Sequence, residues 1–125
     1  IIVIFGLLAS ALTSILSSSQ DTVSYEVLGS RAQATANAGM EAGLYRVLRN
    51  SVACNVIPAA STPLTVNIDN TVVGLVQCHV SVTCNQRAAV NGSTTTYYIL
   101  NSTGICVAGN NKLTATRNLK AEVQK

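Results

Sequence analysis

Twelve of the first sixteen residues are apolar (IIVIFGLLASALTSIL), and no charged side chain occurs before Asp21. A helix over this uncharged stretch would be about 30 Å long, the thickness of a bilayer's hydrocarbon layer. Such a rod just spans a membrane. A cleaved secretory signal is one competing reading, since Ala9-Ser10-Ala11 mimics a cleavage site, but the stretch has no basic start. A helix buried in a soluble core is another, and it fails because the roughly one hundred remaining residues are too few and too polar to wrap an all-round apolar rod. The segment therefore belongs in lipid or against copies of itself. The chain does not begin with Met, so the true N-terminus is expected to lie upstream or to have been processed.

Past residue 16 the pattern changes without a break. No proline occurs before Pro58, and small residues recur at close intervals, so the predicted helix continues to about Asn50, some 75 Å in all. Ala36, Met40, Leu44, Val47 and Leu48 fall on one face of it and want a core, while Gln33, Asn37, Glu41 and Arg46 lie largely elsewhere on the wheel. Gly6, Gly29, Gly39 and Gly43 each cost a helix about 1 kcal/mol relative to Ala. Close helix contacts would explain them; bends or local unwinding would do so equally.

After residue 50 strand chemistry takes over, with Pro58 and Pro63 punctuating a loop. Residues 64–68 alternate, and Asp69-Asn70 suits a turn. Residues 75–84 (LVQCHVSVTC) place Val76, Cys78, Val80, Val82 and Cys84 on one face, with Gln77, His79, Ser81 and Thr83 on the other. Asn91-Gly92 precedes a further run over 95–107, and Gly109-Asn110-Asn111 precedes another over 112–124. The expected fold is α+β: an antiparallel meander whose apolar side is covered by the second half of the helix. Residues 1–53 make the helix, divided into a core segment over 1–28 and a head-packing segment over 29–53, and residues 54–125 make the head.

Composition agrees with a chain that is partly out of water. Of 125 residues 10% are charged and 48% apolar, and the net charge of +3 is too small and dispersed for a nucleic-acid surface. Four cysteines occur with no CxxC or CxxCH spacing, so two disulfides are expected rather than a metal site. Cys78 and Cys84 lie about 20 Å apart along a straight strand, too far to bond each other. Each must then reach Cys54 or Cys106. Which one stays open, with Cys54–Cys78 and Cys84–Cys106 as the working expectation. The domain thus folds under oxidising conditions, outside the cytoplasm.

Catalytic chemistry is hard to find. The single His79 falls on a wet strand face, and the five acidic residues include no tight pair. Asn67, Asp69 and Asn70 lack the spacing of a calcium loop, so no cofactor or metal is expected. Asn91 and Asn101 begin acceptor triplets for N-glycosylation. Arg117, Lys120 and Lys125 read as charges that keep an edge strand from aggregating.

The segment VSYEVLGSRAQATANAGMEAGLYRVL over 23–48, with YEVLGSRA its strongest part, resembles the MshP group of type IV pilin-like proteins from mannose-sensitive haemagglutinin pilus systems. VQCHVSVTC and YYILNSTGIC are similar to the same group's strand and cysteine pattern. The resemblance implies a prepilin cleaved and methylated at its N-terminus, held in the inner membrane, then drawn by an ATP-driven assembly machinery into an extracellular helical filament. The glutamate that many type IV pilins carry near the mature N-terminus has no counterpart before Asp21.

The expected function is therefore that of a structural, non-enzymatic subunit of a homo-oligomeric filament. Its core would be packed by Ile1, Ile2, Val3, Ile4, Phe5, Gly6, Leu7, Leu8, Ala9, Ala11, Leu12, Ile15 and Leu16. Asp21, Glu26 and Arg31, the first charges beyond the apolar run, would make polar contacts between subunits, with Glu26 pairing to Arg31 of the same or an adjacent copy. The alternatives are a minor subunit that primes or tips the fibre, and a membrane-anchored adhesin for which the helix is only a tether.

Overall fold

A single helix, α1 (Ile2–Leu48), occupies the N-terminal part of the chain in a computed structural model that describes residues 1–68, 71–88 and 90–125, and their side chains except at 18 and 20–22. The absence of proline lets it run unbroken. At its C-terminal end Lys125 Nζ donates to the Leu48 carbonyl at 2.9 Å and to Ser51 Oγ at 3.0 Å, placing a cation where the helix dipole is negative. The last residue of the chain thus caps its first element.

Five strands follow: β1 (Asn55–Val56), β2 (Thr62–Leu64), β3 (Cys78–Arg87), β4 (Tyr97–Ala108) and β5 (Leu113–Gln124). The three long ones form the expected antiparallel meander, with Cys78 opposite Cys106 and Cys106 opposite Ala115. Asn91 and Gly92, and then Gly109, Asn110 and Asn111, take the positive φ angles that let the chain reverse, which Gly and Asn tolerate best. On the other edge of β3, β2 pairs antiparallel with residues 82–84 and β1 pairs parallel with Asn85 and Gln86. The sheet is therefore mixed rather than wholly antiparallel. The Cys54–Cys84 bond tethers the chain beside β3 directly before Asn55, and the Asn55 amide donates to Thr62 Oγ1.

Two boundaries differ from those read in the sequence. The strand expected over 64–68 lies at Thr62–Leu64. The run expected over 75–84 starts only at Cys78, because Gln77 has φ 62° and the Cys78 amide closes a turn on the Leu75 carbonyl. Val76 is consequently an exposed turn residue rather than part of the apolar strand face. Asp69 and Asn70 lie outside the described residues.

One sheet face, carrying Val80, Val82, Leu100, Ser102, Gly104 and Leu119, meets α1; the other carries His79, Ser81, Thr83, Asn101, Thr103 and Lys120. The helix lies on the sheet backbone itself. A Cβ on Gly104 would fall on the Ala32 carbonyl oxygen, and one on Gly39 would fall on Val80 Cγ2. Gly43 is similarly tight: a Cβ there would lie 2.9 Å from Val82 Cγ1. Gly39 and Gly43 are thus close-contact glycines, and the partner is the chain's own sheet rather than another helix. Two apolar clusters result. One joins Met40, Val47, Leu64, Val82 and Leu100 around Cys54 and Cys84; the other joins Leu28, Ala32 and Ala115 around Cys78 and Cys106.

The disulfides are Cys54–Cys84 and Cys78–Cys106, which overturns the working expectation of Cys54–Cys78 and Cys84–Cys106. The register decides it. Cys78 faces Cys106 across the β3–β4 ladder with Cα atoms 4.1 Å apart, whereas Cys84 faces Leu100. Cys84 is left for the segment returning from the helix.

Candidate functional site

The head buries α1 only from Leu28 onward. Leu28, Ala32, Thr35, Ala36, Met40 and Val47 are buried, and Leu44 packs at the core edge. Of the expected head-packing face, Ala36, Met40 and Val47 are buried while Leu44 and Leu48 are half-buried. The small positions Ala32, Thr35, Gly39 and Gly43 belong to that face too, and only their contact with a sheet reveals it. Ser102 Oγ donates to the Ala36 carbonyl at 2.8 Å, and Thr35 Oγ1 to that of Arg31, so the hydroxyls at this interface are satisfied.

Before Leu28 the described side chains of the same helix are exposed. Ile1, Ile2, Val3, Ile4, Phe5, Leu7, Leu8, Leu12, Ile15 and Leu16 are 56–91% exposed, and Gly6, Ala9 and Ala11 are exposed between them. Scattered exposed apolar side chains are ordinary; ten on one rod are not. Two of the hydroxyls on this rod turn inward: Ser10 Oγ donates to the Leu7 carbonyl and Thr13 Oγ1 to that of Ala9, both at 2.9 Å. They present little unmet polarity to an apolar neighbour. Among the described residues, however, no helix is long and apolar enough to cross a membrane. The uncharged stretch expected to span a membrane takes in residues 18 and 20, whose side chains lie outside the described residues.

Of the residues expected to make polar contacts between subunits, Arg31 bonds within its own head. Arg31 donates through Nε to the Gly74 carbonyl at 2.6 Å and through its terminal nitrogen to that of Val76, pinning the 71–77 turns to the helix. Its guanidinium thus faces backbone oxygens of its own head. Glu26 is exposed, and the ion pair found among the described residues is Arg87 with Glu122 at 3.6 Å. The Asp21 side chain lies outside the described residues. Asn91 stands at an exposed turn, whereas Asn101 is half-buried on the central strand β4.

Where rod and head meet, Val23, Val27, Leu28 and Arg31 of α1 face Ala108 and Leu113 across an open groove of about 330 Å³. Sequence reading missed it, since its two walls come from segments some eighty residues apart. Only the Val23–Val27 pair, one helical turn apart, carried a signal. Among the described residues no cluster of His, Cys, Asp or Glu could hold a metal ion. No family model, curated protein or solved structure matches the chain.

Proposed function

We propose that the chain is a structural subunit of a type IV pilus-like filament, in which the bare first half of α1 packs among copies of itself and the disulfide-bonded head forms the outer shell. The observation that carries this is the row of ten large apolar side chains standing clear of the head. Fully removing each from water is worth about 1.5–3 kcal/mol, which makes the exposed rod untenable in a dispersed aqueous monomer. Before assembly the rod is held in the inner membrane, from which the assembly machinery draws it. Moving from lipid to a helix bundle gains little from hydrophobicity itself, so close packing at Gly6, Ala9 and Ala11 supplies the specificity.

The two disulfides support a head that matures in an oxidising compartment, as an extracellular fibre requires. Electron microscopy of material sheared from cells, with immunogold labelling of the head, tests the reading. Labelled fibres are expected, together with their loss when residues 1–16 are scrambled at constant hydrophobicity. A tethered adhesin would survive that scrambling. A monodisperse, detergent-free chain with no fibres would overturn the proposal.

A further inference from the structure

We propose that the groove between α1 and the β4–β5 turn is the receptor for the apolar rod of a second copy, entered by side chains of the seam Ile1, Phe5, Leu8, Leu12 and Ile15. The inference rests on the filament reading and names the contact that propagates it.

The groove selects for an uncharged apolar occupant. Val23 and Val27 are more than half exposed along it, Leu28, Ala108 and Leu113 complete its apolar lining, and Ser24 is its one uncharged polar member. Its single charged wall, Arg31, directs two of its five N–H donors to the Gly74 and Val76 carbonyls, which holds the guanidinium toward the 71–77 turns. At about 330 Å³ it takes side chains, not a whole helix about 10–12 Å across. The ligand it fits is a row of aliphatic and aromatic knobs on a helix without charge.

Residues 1–20 are such a helix: they carry no charge, and the seam recurs at steps of four, three, four and three, which aligns it along one face. The rod and the groove lie on one continuous helix. They cannot meet within a molecule, because α1 would have to break and double back. Rod and groove therefore satisfy each other only between copies. A contact between two different patches is heterologous and propagates as an open helix unless its rotation closes a ring, so each bound copy offers its own groove to the next. The groove contact thus adds a direction of growth to the rod-to-rod packing of the fibre core.

The test places a photo-crosslinking phenylalanine analogue at Val27 of the full chain, followed by irradiation of assembled fibres and mass mapping of the linked peptides. Crosslinks from position 27 to residues 1–16 of another copy are expected. Beside it, Val23→Arg/Val27→Arg, at two exposed positions that leave the core intact, should cut fibre yield at least tenfold while the thermal melt of the head stays unchanged. Mixed at one part in ten with the unsubstituted chain, this variant should shorten the fibres, since its rod still binds but its groove does not. Normal fibres from the double variant, or crosslinks that run only to position 27 or to heads, would overturn the groove assignment and leave the filament standing. No fibres from the unsubstituted chain would instead remove the filament reading, and this inference with it.

Discussion

Replacing Gly104 by Ala is the sharpest test of how α1 sits on its sheet. The new methyl would fall on the Ala32 carbonyl oxygen, 2.6 Å from the Ala36 amide nitrogen and 3.1 Å from its Cα. These are backbone atoms of a helix and cannot swing aside. Restoring carbon contacts of about 3.5 Å means lifting the helix by about 1 Å, enough to forfeit a quarter to a half of the dispersion attraction beneath it. The lift also stretches the 2.8 Å bond from Ser102 Oγ to the Ala36 carbonyl, both buried residues. Overpacking costs about 1–3 kcal/mol, and a buried hydrogen bond is worth about 1 kcal/mol, so a loss of about 2–4 kcal/mol is expected. Two controls separate this from generic glycine effects. Gly92→Ala, in open space at φ 75°, should cost only the left-handed penalty of about 1–2 kcal/mol. Gly6→Ala, on the bare rod with nothing within 4 Å, should leave the head's unfolding midpoint where it is. Urea unfolding of the full chain in mild detergent, followed by circular dichroism at constant m-value, gives all three. Gly104→Ala costing no more than Gly92→Ala would refute the close seating of helix on sheet.

Further outcomes follow from other contacts. Non-reducing peptide mapping should recover Cys54–Cys84 and Cys78–Cys106, and paired Ser replacements that open either bond, at sequence separations of 30 and 28, should each cost about 3.5 kcal/mol; recovery of Cys54–Cys78 would contradict the β3–β4 register. Arg31→Ala should raise amide exchange across 71–77 by at least tenfold while lowering global stability by no more than about 2 kcal/mol, and unchanged exchange there would show that Arg31 does not hold those turns. Lys125→Ala should cost about 0.5–1 kcal/mol through lost capping of α1, with the difference shrinking at high salt; a difference independent of salt would point to lost packing instead.

Several features were legible because they are written in local order. The face of Ala36, Met40, Leu44 and Val47 and the alternation in β3 repeat at the periods of their elements, and the apolar run before Asp21 and the proline-free stretch to Leu48 are equally local. The turns at Asn91-Gly92 and Gly109-Asn110-Asn111 were visible because few residues tolerate positive φ. Gly39 and Gly43, by contrast, were ambiguous between bends and contacts. Nothing within a few residues of either says that Val80 and Val82 will lie above them.

By itself, then, the sequence determined a long helix with a bare apolar half, a small β head beyond it, and cysteines with no metal-site spacing. These rest on periodicity and composition, which act over a few residues. Tertiary structure alone decided which cysteines bond, that β1 runs parallel to β3, where Arg31 directs its charge, and that a groove opens beside Val27. Each of these depends on the register of one strand against another or on the seating of the helix over the sheet. A shift of a single residue there moves every side chain to the opposite face, and no local pattern in the chain encodes that choice.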